Sequence, residues 1–294
     1  MNSTGLPARQ FLFTVDVDWV VGSETGVVRL CDFCDRLGIR ATFFVAGRFA
    51  ERYPHVVREV AHRGHALGTH GWEHGSLSAT DDENFGLAPA ERQRTWLVDA
   101  SRAVEDASGV SPKAFRAPNL LVSETTVRIL QDVGYSYDSS VSPRRLSVGP
   151  AGVRRTRYYG APLEPYHPSL DDLNDRGAST VLEVPPSAFL VPLNMSALRV
   201  LGLAPLRWAV HRLRSRSSIL VFYAHPAEFV DGADQVIPAD NPARHRRGLG
   251  PHHLTALGAF IDGVLGLGYV SAVLEDLNGG HELDVTRNAG GGLA

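Results

Sequence analysis

The 294-residue sequence contains two cysteines, a single lysine and no long apolar run. Cys31 and Cys34 form a C-x-x-C inside a predicted helix over residues 27–37, away from the N-terminus where a redox thiolate would be stabilised, so we assign them to core packing. No apolar segment approaches the roughly 20 residues needed to span a bilayer. Residues 1–10 lack the hydrophobic stretch of a secretory signal, so we expect a cytoplasmic protein.

The sequence also lacks a large excess of either sign of charge, because its net charge is only -3. This value gives no electrostatic case for binding nucleic acid. A hydrophobic content of 44% over this length allows a sizeable core. We predict one domain over residues 1–277, followed by a glycine-rich, polar and disordered tail over residues 278–294. The sequence makes no prediction of the oligomeric state.

Apolar segments that favour strands alternate along the chain with segments of helical periodicity. The predicted strands cover residues 11–18, 41–46, 66–69, 114–119, 135–140, 181–186, 218–226 and 269–274. The predicted helices cover residues 27–37, 54–64, 89–107, 123–134, 197–214 and 254–267. Residues 141–180 show little periodicity and predict a long loop. This alternation predicts an α/β fold with a parallel sheet, open or closed into a barrel.

Chemically reactive residues occur at the ends of successive predicted strands. The carboxyl ends of the strands in an α/β barrel share one face, where active sites gather. We therefore expect the following side chains to share that face: Asp16, Asp18, His70, His74, Arg116, Asp138 and His225.

His70 and His74 are four residues apart, a spacing at which a helical turn directs both imidazoles the same way. A catalytic zinc site usually has three protein ligands and one open position, so a third ligand must come from another strand end. Asp16 and Asp18 lie on one face of a strand because they are two residues apart. One of them can bind the metal while the other acts as a base, and the spacing leaves open which is which.

The order of these motifs resembles that of the polysaccharide deacetylases, the NodB-homology group of carbohydrate esterase family 4. The resemblance covers about residues 11–275 and rests on six segments: Thr14–Asp18, Ala41–Phe44, Thr69–His74, Phe115–Pro118, Tyr137–Ser140 and Tyr223–Pro226. It implies a distorted (β/α)7–8 barrel. It also implies a metal-dependent enzyme that hydrolyses a non-peptide carbon–nitrogen amide bond.

The resemblance assigns roles to individual residues. A single divalent ion, zinc first with cobalt, manganese or nickel as alternatives, would be held by Asp18, His70 and His74. Asp16 would be the base, positioned by Arg116, and the backbone N–H of Asn119 would stabilise the oxyanion. His225 would protonate the departing amine, with Asp138 or Glu183 as its partner.

The chain departs from the family pattern at three places. Val17 separates two aspartates that are usually adjacent, so their roles stay open. Asn119 occupies a position where tyrosine is common, which matters little if the backbone N–H is the donor. The family's tryptophan-containing motif is not evident, so the partner of His225 stays open between Asp138 and Glu183.

The expected substrate is an N-acetylated amino sugar made in the cytoplasm and carried on a nucleotide, a lipid or a natural-product scaffold. Residues 198–216 mix apolar side chains with five arginines, which suits peripheral contact with a membrane or lipid carrier and equally suits a packed helix. The alternatives are a deformylase, a cyclic-amide hydrolase or a non-catalytic carbohydrate-binding protein. A metalloprotease is disfavoured because the glutamate of H-E-x-x-H is absent.

Overall fold

The computed structural model describes residues 9–18, 22–73, 84–149, 152–232 and 249–279. Its centre is an eight-stranded parallel sheet in which seven strands follow the order β11-β1-β2-β3-β4-β5-β8 and β12 lies beside β1. Helices connect most neighbouring strands, as parallel pairing requires. The predicted α/β fold with a parallel sheet is confirmed.

Each element has the following bounds. The strands are β1 (Arg9–Val17), β2 (Ala41–Val45), β3 (Ala66–Thr69), β4 (Ala114–Phe115), β5 (Tyr137–Asp138), β6 (Leu146–Gly149), β7 (Gly152–Arg155), β8 (Leu182–Glu183), β9 (Ala188–Phe189), β10 (Val191–Pro192), β11 (Ile219–Ala224) and β12 (Tyr269–Ser271). The helices are α1 (Ser23–Leu37), α2 (Gly47–Arg52), α3 (Pro54–His62), α4 (Ala90–Ser108), α5 (Glu124–Asp132), α6 (Met195–Leu201), α7 (Leu203–Leu213) and α8 (His253–Leu265).

The sheet curls without closing. Within the described part of the chain, β8 at one end and β11 at the other are not hydrogen-bonded to each other. β11 pairs with one edge of β1, and β2 and β12 share the opposite edge. The expected distorted barrel is therefore confirmed in an open form, with β1 near its middle.

Alternation along β1 decides which of its side chains lie inside the curled sheet. Leu12 packs with Phe44 and Val221 in the cluster inside the curled sheet. Phe11 and Phe13 instead pack in a separate cluster that includes the helices. Since successive side chains of a strand alternate, Thr14 and Asp16 lie on the side of Leu12. A polar pair is thereby placed inside the barrel.

Several local predictions differ from the structure. α2 was not predicted, because a six-residue helix contains too few turns to give a periodic signal. The predicted helix over 197–214 is two helices, α6 and α7, separated by Gly202 with φ 78°. The predicted loop over 141–180 contains the antiparallel hairpin β6–β7.

The predicted cap of α5 and the predicted packing of the two cysteines are confirmed. Ser123 caps α5 through the backbone N–H of Thr126. Cys31 and Cys34 are buried in α1, and burial raises the pKa of the Cys31 thiol to about 12, which fits packing rather than redox chemistry. Among the described residues, no helix has the length and apolar character to cross a membrane. The expected tail over 278–294 lies outside the described residues except for positions 278 and 279.

Candidate active site

A buried ion pair lies at the carboxyl end of β1. Arg116, which directly follows β4, donates from one terminal nitrogen to Asp16 Oδ1 at 2.8 Å and to Thr14 Oγ1 at 2.7 Å. The side chain of Arg116 is 0% exposed and that of Asp16 is 4% exposed. The structure therefore places Arg116 in direct contact with Asp16, the residue that we expect it to position.

The remaining donors of Arg116 are also used. Its Nε donates to Ser139 O at 2.8 Å, and its second terminal nitrogen donates to Ser139 Oγ at 2.7 Å. The ring of Phe44 lies 4.4 Å from the guanidinium carbon. Removing one member of such a buried pair typically costs about 3–5 kcal/mol, because the other charge is left unpaired. Arg116 is thus a support of both fold and site.

Asp18 and His70 face each other, with His70 Nε2 at 3.3 Å from Asp18 Oδ1. The other ring nitrogen, Nδ1, lies 2.7 Å from the carbonyl oxygen of Arg116. A carbonyl only accepts, so Nδ1 donates its proton to this oxygen, and Nε2 is the ring atom directed toward Asp18. Metal-binding histidines are commonly oriented in this way by a second hydrogen bond. The two donor atoms fit a divalent ion.

The third expected ligand, His74, lies outside the described residues. Among the residues that are described, no three His, Cys, Asp or Glu side chains form a cluster able to hold a metal. The structure therefore brings together two of the three expected ligands. The helical turn expected after His70 is wrong for residues 71–73, because Gly71 has φ 69° and these residues form bends.

A strained turn follows Arg116. Asn119 and Leu120 both have left-handed backbone angles, φ 59° and 56°, which are uncommon for residues other than glycine. The Leu120 and Leu121 N–H groups are bonded to Ala117 O and Pro118 O. In the described part of the chain, no acceptor takes the Asn119 N–H. This free donor agrees with the oxyanion role that we predict for Asn119.

His225 directly follows β11, and its partner is Glu228 rather than Asp138 or Glu183. Nδ1 of His225 is 3.5 Å from Glu228 Oε2, which also accepts the backbone N–H of His225 at 2.9 Å. Arg199 and Ser196 bind the other oxygen of Glu228 at 3.1 and 2.9 Å. The buried carboxylate thus orients a histidine whose own side chain is 32% exposed.

The surroundings of His225 favour its protonated form. Burial by itself lowers the pKa of this histidine, but the hydrogen bond that His225 donates to Glu228 and the charges of Asp18, Glu228 and Asp16 together raise the pKa to about 9. Burial by itself raises the pKa of Glu228, but the hydrogen bond with His225 and the charge of His225 give a net lowering. The pair is therefore suited to hold a proton on His225 near neutral pH.

Asp138 of β5 and Glu183 of β8 are adjacent buried carboxyl groups. Burial raises the pKa of Asp138 to about 6, and burial with the neighbouring Asp138 charge raises the pKa of Glu183. Two adjacent buried carboxyl groups hold a shared proton more readily than two charges. Ser140 donates to Asp138 Oδ1 and accepts the Ala117 N–H at 2.9 Å. Asp138 therefore supports the turn that carries Asn119.

Glu228 is the main site residue that the sequence reasoning missed. Its signal is the spacing in His225-Pro-Ala-Glu228, which places the carboxylate one short turn after the histidine. Ser139 lies in the motif segment Tyr137–Ser140, but its contacts with Arg116 depend on tertiary packing between β4 and β5.

A metal assay tests the assignment of His70. We expect His70→Ala to lower the zinc content from about one ion per chain to a small fraction, because a catalytic site uses only three protein ligands. His55→Ala, on the exposed face of α3, is the matched control and should keep its metal. Elemental analysis of both folded variants is the measurement. Full occupancy in His70→Ala would remove this residue from the ligand set.

Comparisons with known proteins agree with this architecture. Residues 5–137 match the family model of polysaccharide deacetylases. Over 90 residues, 31% of this chain and 30% of the relative, the chain is 26% identical to a peptidoglycan-N-acetylglucosamine deacetylase of Bacillus cereus. Over 117 residues, 39% of this chain and 52% of the relative, it is 31% identical to a chitooligosaccharide deacetylase of Azorhizobium caulinodans.

Coverage of the relatives is partial at the level of sequence. Three curated relatives that match this chain are covered over 35%, 30% and 38% of their own length, so the chain spans about a third of them. The fold extends further. A crystal structure from Mycobacterium smegmatis, provisionally assigned to the polysaccharide deacetylases, is similar over 93% of this chain and 91% of that one, with a TM-score of 0.60 and 22% identity.

Proposed function

Because the chain belongs to the polysaccharide deacetylase family, we propose that it hydrolyses the N-acetyl amide of an acetylated amino sugar. One observation carries the proposal. Asp16 and Asp18 lie at the carboxyl end of β1, His70 lies at that of β3, and the Glu228-bound His225 lies at that of β11. These strands are joined through β1 and β2, so the groups share one end of the sheet.

Asp16 is the proposed general base. Arg116 occupies Oδ1 of Asp16, which leaves the second carboxylate oxygen, Oδ2, to accept a proton from the attacking water. The contact also fixes the direction of the carboxylate, so little reorganisation is needed during attack. In this proposal Asp18, His70 and His74 hold the divalent ion, with zinc as the first candidate. When bound, the ion would polarise the acyl oxygen and lower the pKa of water.

Asn119 and His225 complete the proposed reaction. The free N–H of Asn119 would donate to the oxyanion as the tetrahedral intermediate forms. His225, charged through its contact with Glu228, would donate a proton to the nitrogen as the carbon–nitrogen bond breaks. The products are acetate and a free amino sugar.

The substrate class is the part of the proposal that is most open to direct measurement. The names of the relatives point to N-acetylglucosamine in peptidoglycan or chitooligosaccharides. We propose a small or carrier-linked form of such a sugar, acted on in the cytoplasm. Amine release should be measured on the free sugar, its nucleotide conjugate, its lipid-linked form and an acetylated oligosaccharide. Far higher rates on the acetylated oligosaccharide, and on a chitin-like polymer assayed beside it, than on all small and carrier-linked forms would contradict the small-substrate proposal.

The same panel separates the alternative functions. A formamide or a cyclic amide would use the same base, acid and oxyanion donor, so hydrolysis of these compounds without deacetylation would favour the alternative enzyme. Binding of acetylated sugar by metal-loaded protein without any turnover would favour a non-catalytic carbohydrate-binding protein.

Peripheral contact with a lipid carrier stays a proposal that concerns α6 and α7. Val200 and Trp208 are 75% and 48% exposed there. One of the five arginines in this segment is withdrawn from the surface, because Arg199 is 8% exposed and binds Glu228, whereas the exposed Arg207 donates to Ala259 O. The basic character of this surface is therefore weaker than the sequence predicts.

A further inference from the structure

Four arginines surround the hairpin formed by β6 and β7. We call these residues the hairpin arginines: Arg144, Arg145, Arg154 and Arg155. Within the described residues, none of them forms an ion pair with a carboxylate, whereas the nearby Arg157 pairs with Glu124 at 2.6 Å. The hairpin therefore carries a concentrated positive charge that the described part of the protein does not neutralise.

The backbone of Arg145 is held from two directions. Leu146 donates to Leu190 O at 3.1 Å, and Leu190 donates to Arg144 O at 3.2 Å. Thr156 bonds the carbonyl oxygen of Arg145 through both its N–H and its hydroxyl, at 3.3 and 3.1 Å. The position of Arg145 is thus defined even though its guanidinium has no acidic partner among the described residues.

Two strained residues flank this contact. Arg144 has φ 55° and Leu190 has φ 66°, both in the left-handed region that residues with side chains rarely adopt. Such strain persists only where the surrounding structure holds it, and it is concentrated at functional sites. The strain coincides here with the point at which the hairpin joins the β9–β10 turn.

Arg145 is half-buried, and its backbone bridge to Leu190 connects it with the segment that leads to β11. The β9–β10 turn to which it is joined leads to Asn194, which bridges to Tyr223 of β11. Tyr223 is two residues from His225, and its ring is 6.0 Å from the imidazole and 5.5 Å from the guanidinium carbon of Arg116. Burial raises the pKa of the Tyr223 hydroxyl, while the charge of Arg145 and the hydrogen bond with Asn194 lower it.

Two of the hairpin arginines, Arg144 and Arg155, stack on the ring of Tyr159. The guanidinium carbons of Arg144 and Arg155 lie 5.4 and 4.6 Å from the centre of its ring. Stacking of this kind stabilises a cation without neutralising it, and it leaves the N–H donors available. The group therefore extends from the exposed hairpin to a half-buried arginine next to Tyr223.

We propose that the hairpin arginines, with Arg145 innermost, form a subsite for the phosphate or pyrophosphate of a phosphorylated acetamido sugar. This inference rests on the proposed deacetylation and names its substrate class. Guanidinium groups match phosphate oxygens with paired donors. Four positive charges suit a group that carries two or more negative charges, whereas a neutral oligosaccharide would leave all four without a partner. The subsite would hold the carrier end of the substrate while the acetamido group reaches Asp16 and His225.

Steady-state kinetics on matched substrates tests the subsite. The substrates are N-acetylglucosamine 1-phosphate, its uridine diphosphate conjugate, a short-chain prenyl diphosphate conjugate and the neutral methyl glycoside. We expect kcat/KM to be at least about tenfold higher for the phosphorylated forms, because they gain charge-assisted hydrogen bonds that the neutral glycoside cannot form. The ranking of the three phosphorylated forms distinguishes a free sugar phosphate from a nucleotide or lipid carrier.

Substitution isolates the contribution of Arg145. Arg145→Gln should remove most of the phosphate preference and leave kcat/KM for the neutral glycoside within about twofold, whereas Arg145→Lys should restore part of it. Arg58→Gln, which removes an exposed positive charge on α3, is the control and should behave as the wild type. Equal losses on neutral and phosphorylated substrates would assign Arg145 a structural role and overturn the proposal.

Binding measurements separate this inference from the proposed reaction. In calorimetry, the uridine diphosphate conjugate should bind to the metal-loaded wild type at least about tenfold more tightly than to metal-loaded Arg145→Gln. Such binding without hydrolysis of any substrate would refute deacetylation and keep the subsite. Deacetylation of the neutral glycoside with no phosphate preference would keep the reaction and refute the subsite.

Discussion

Asp16→Asn should reduce turnover by about two to four orders of magnitude, the usual effect of removing a general base. The amide has the shape of the carboxylate, and its oxygen can still accept the hydrogen bond from Arg116 at the position of Asp16 Oδ1. The variant should therefore fold and bind metal and substrate, while an amide cannot take the proton of the attacking water. Turnover numbers, metal content and a substrate dissociation constant are to be measured on the same preparation.

Asp18→Asn is the matched control, because Asp18 lies two residues further along and faces His70 Nε2 at 3.3 Å. Its substitution should lower metal content and activity together. If Asp16→Asn lost the metal and Asp18→Asn kept it, the two roles would be reversed.

His225→Ala should remove most activity and also the alkaline limb of the pH–rate profile. A general acid acts in its protonated form, so the rate should fall as pH rises through the pKa of His225, which its surroundings raise to about 9. Loss of the imidazole removes both the proton donor and the group that titrates in this range. An alkaline limb that persisted unchanged in His225→Ala would assign the proton donor to another group.

Glu228→Gln sharpens this test because it leaves the imidazole in place. The hydrogen bond and charge of Glu228 raise the pKa of His225, so their loss should move the alkaline limb to lower pH. A bound cation would offset part of the effect of Asp18, so the shift between wild type and Glu228→Gln is more informative than the absolute midpoint. Glu164→Gln, which changes a carboxylate bonded to Ser218 at the other end of β11, should leave the limb unmoved.

The sequence predicts the parts of the fold that have strong local signals. Strands β1, β2, β3 and β11 coincide with apolar runs, and β1, β3 and β11 lead directly to reactive residues, so the sequence alone locates these strand ends. The lengths of β4, β5 and β8 are overestimated, because only two residues of each form ladder pairs. Some of the neighbouring residues still bond to the backbone of the adjacent strand, as the Ser139 N–H does to Phe115 O, whereas the Ala117 N–H bonds to the side chain of Ser140.

The site is predictable where it depends on strand order and less so where it depends on loops. Asp16 and Arg116 are 100 residues apart, yet their contact follows from the alternation of β1 and the position of β4. The partner of His225 was not predictable in the same way. Glu228 is selected by a short turn and by Arg199 from α6, and neither contact has a periodic signal. The third expected metal ligand, His74, stays a prediction because it lies outside the described residues.

Isotope incorporation tests the proposed hydrolysis most directly. Metal-loaded protein is incubated with N-acetylglucosamine 1-phosphate, its uridine diphosphate conjugate and the neutral methyl glycoside in water enriched in oxygen-18, and acetate and free amine are quantified by mass spectrometry. We expect equal amounts of amine and acetate, with one labelled oxygen in each acetate, and formation of both products slower by about two to four orders of magnitude in Asp16→Asn. Metal-loaded protein that binds these sugars and releases no labelled acetate from any of them would contradict the assignment of Asp16 and His225 to amide hydrolysis.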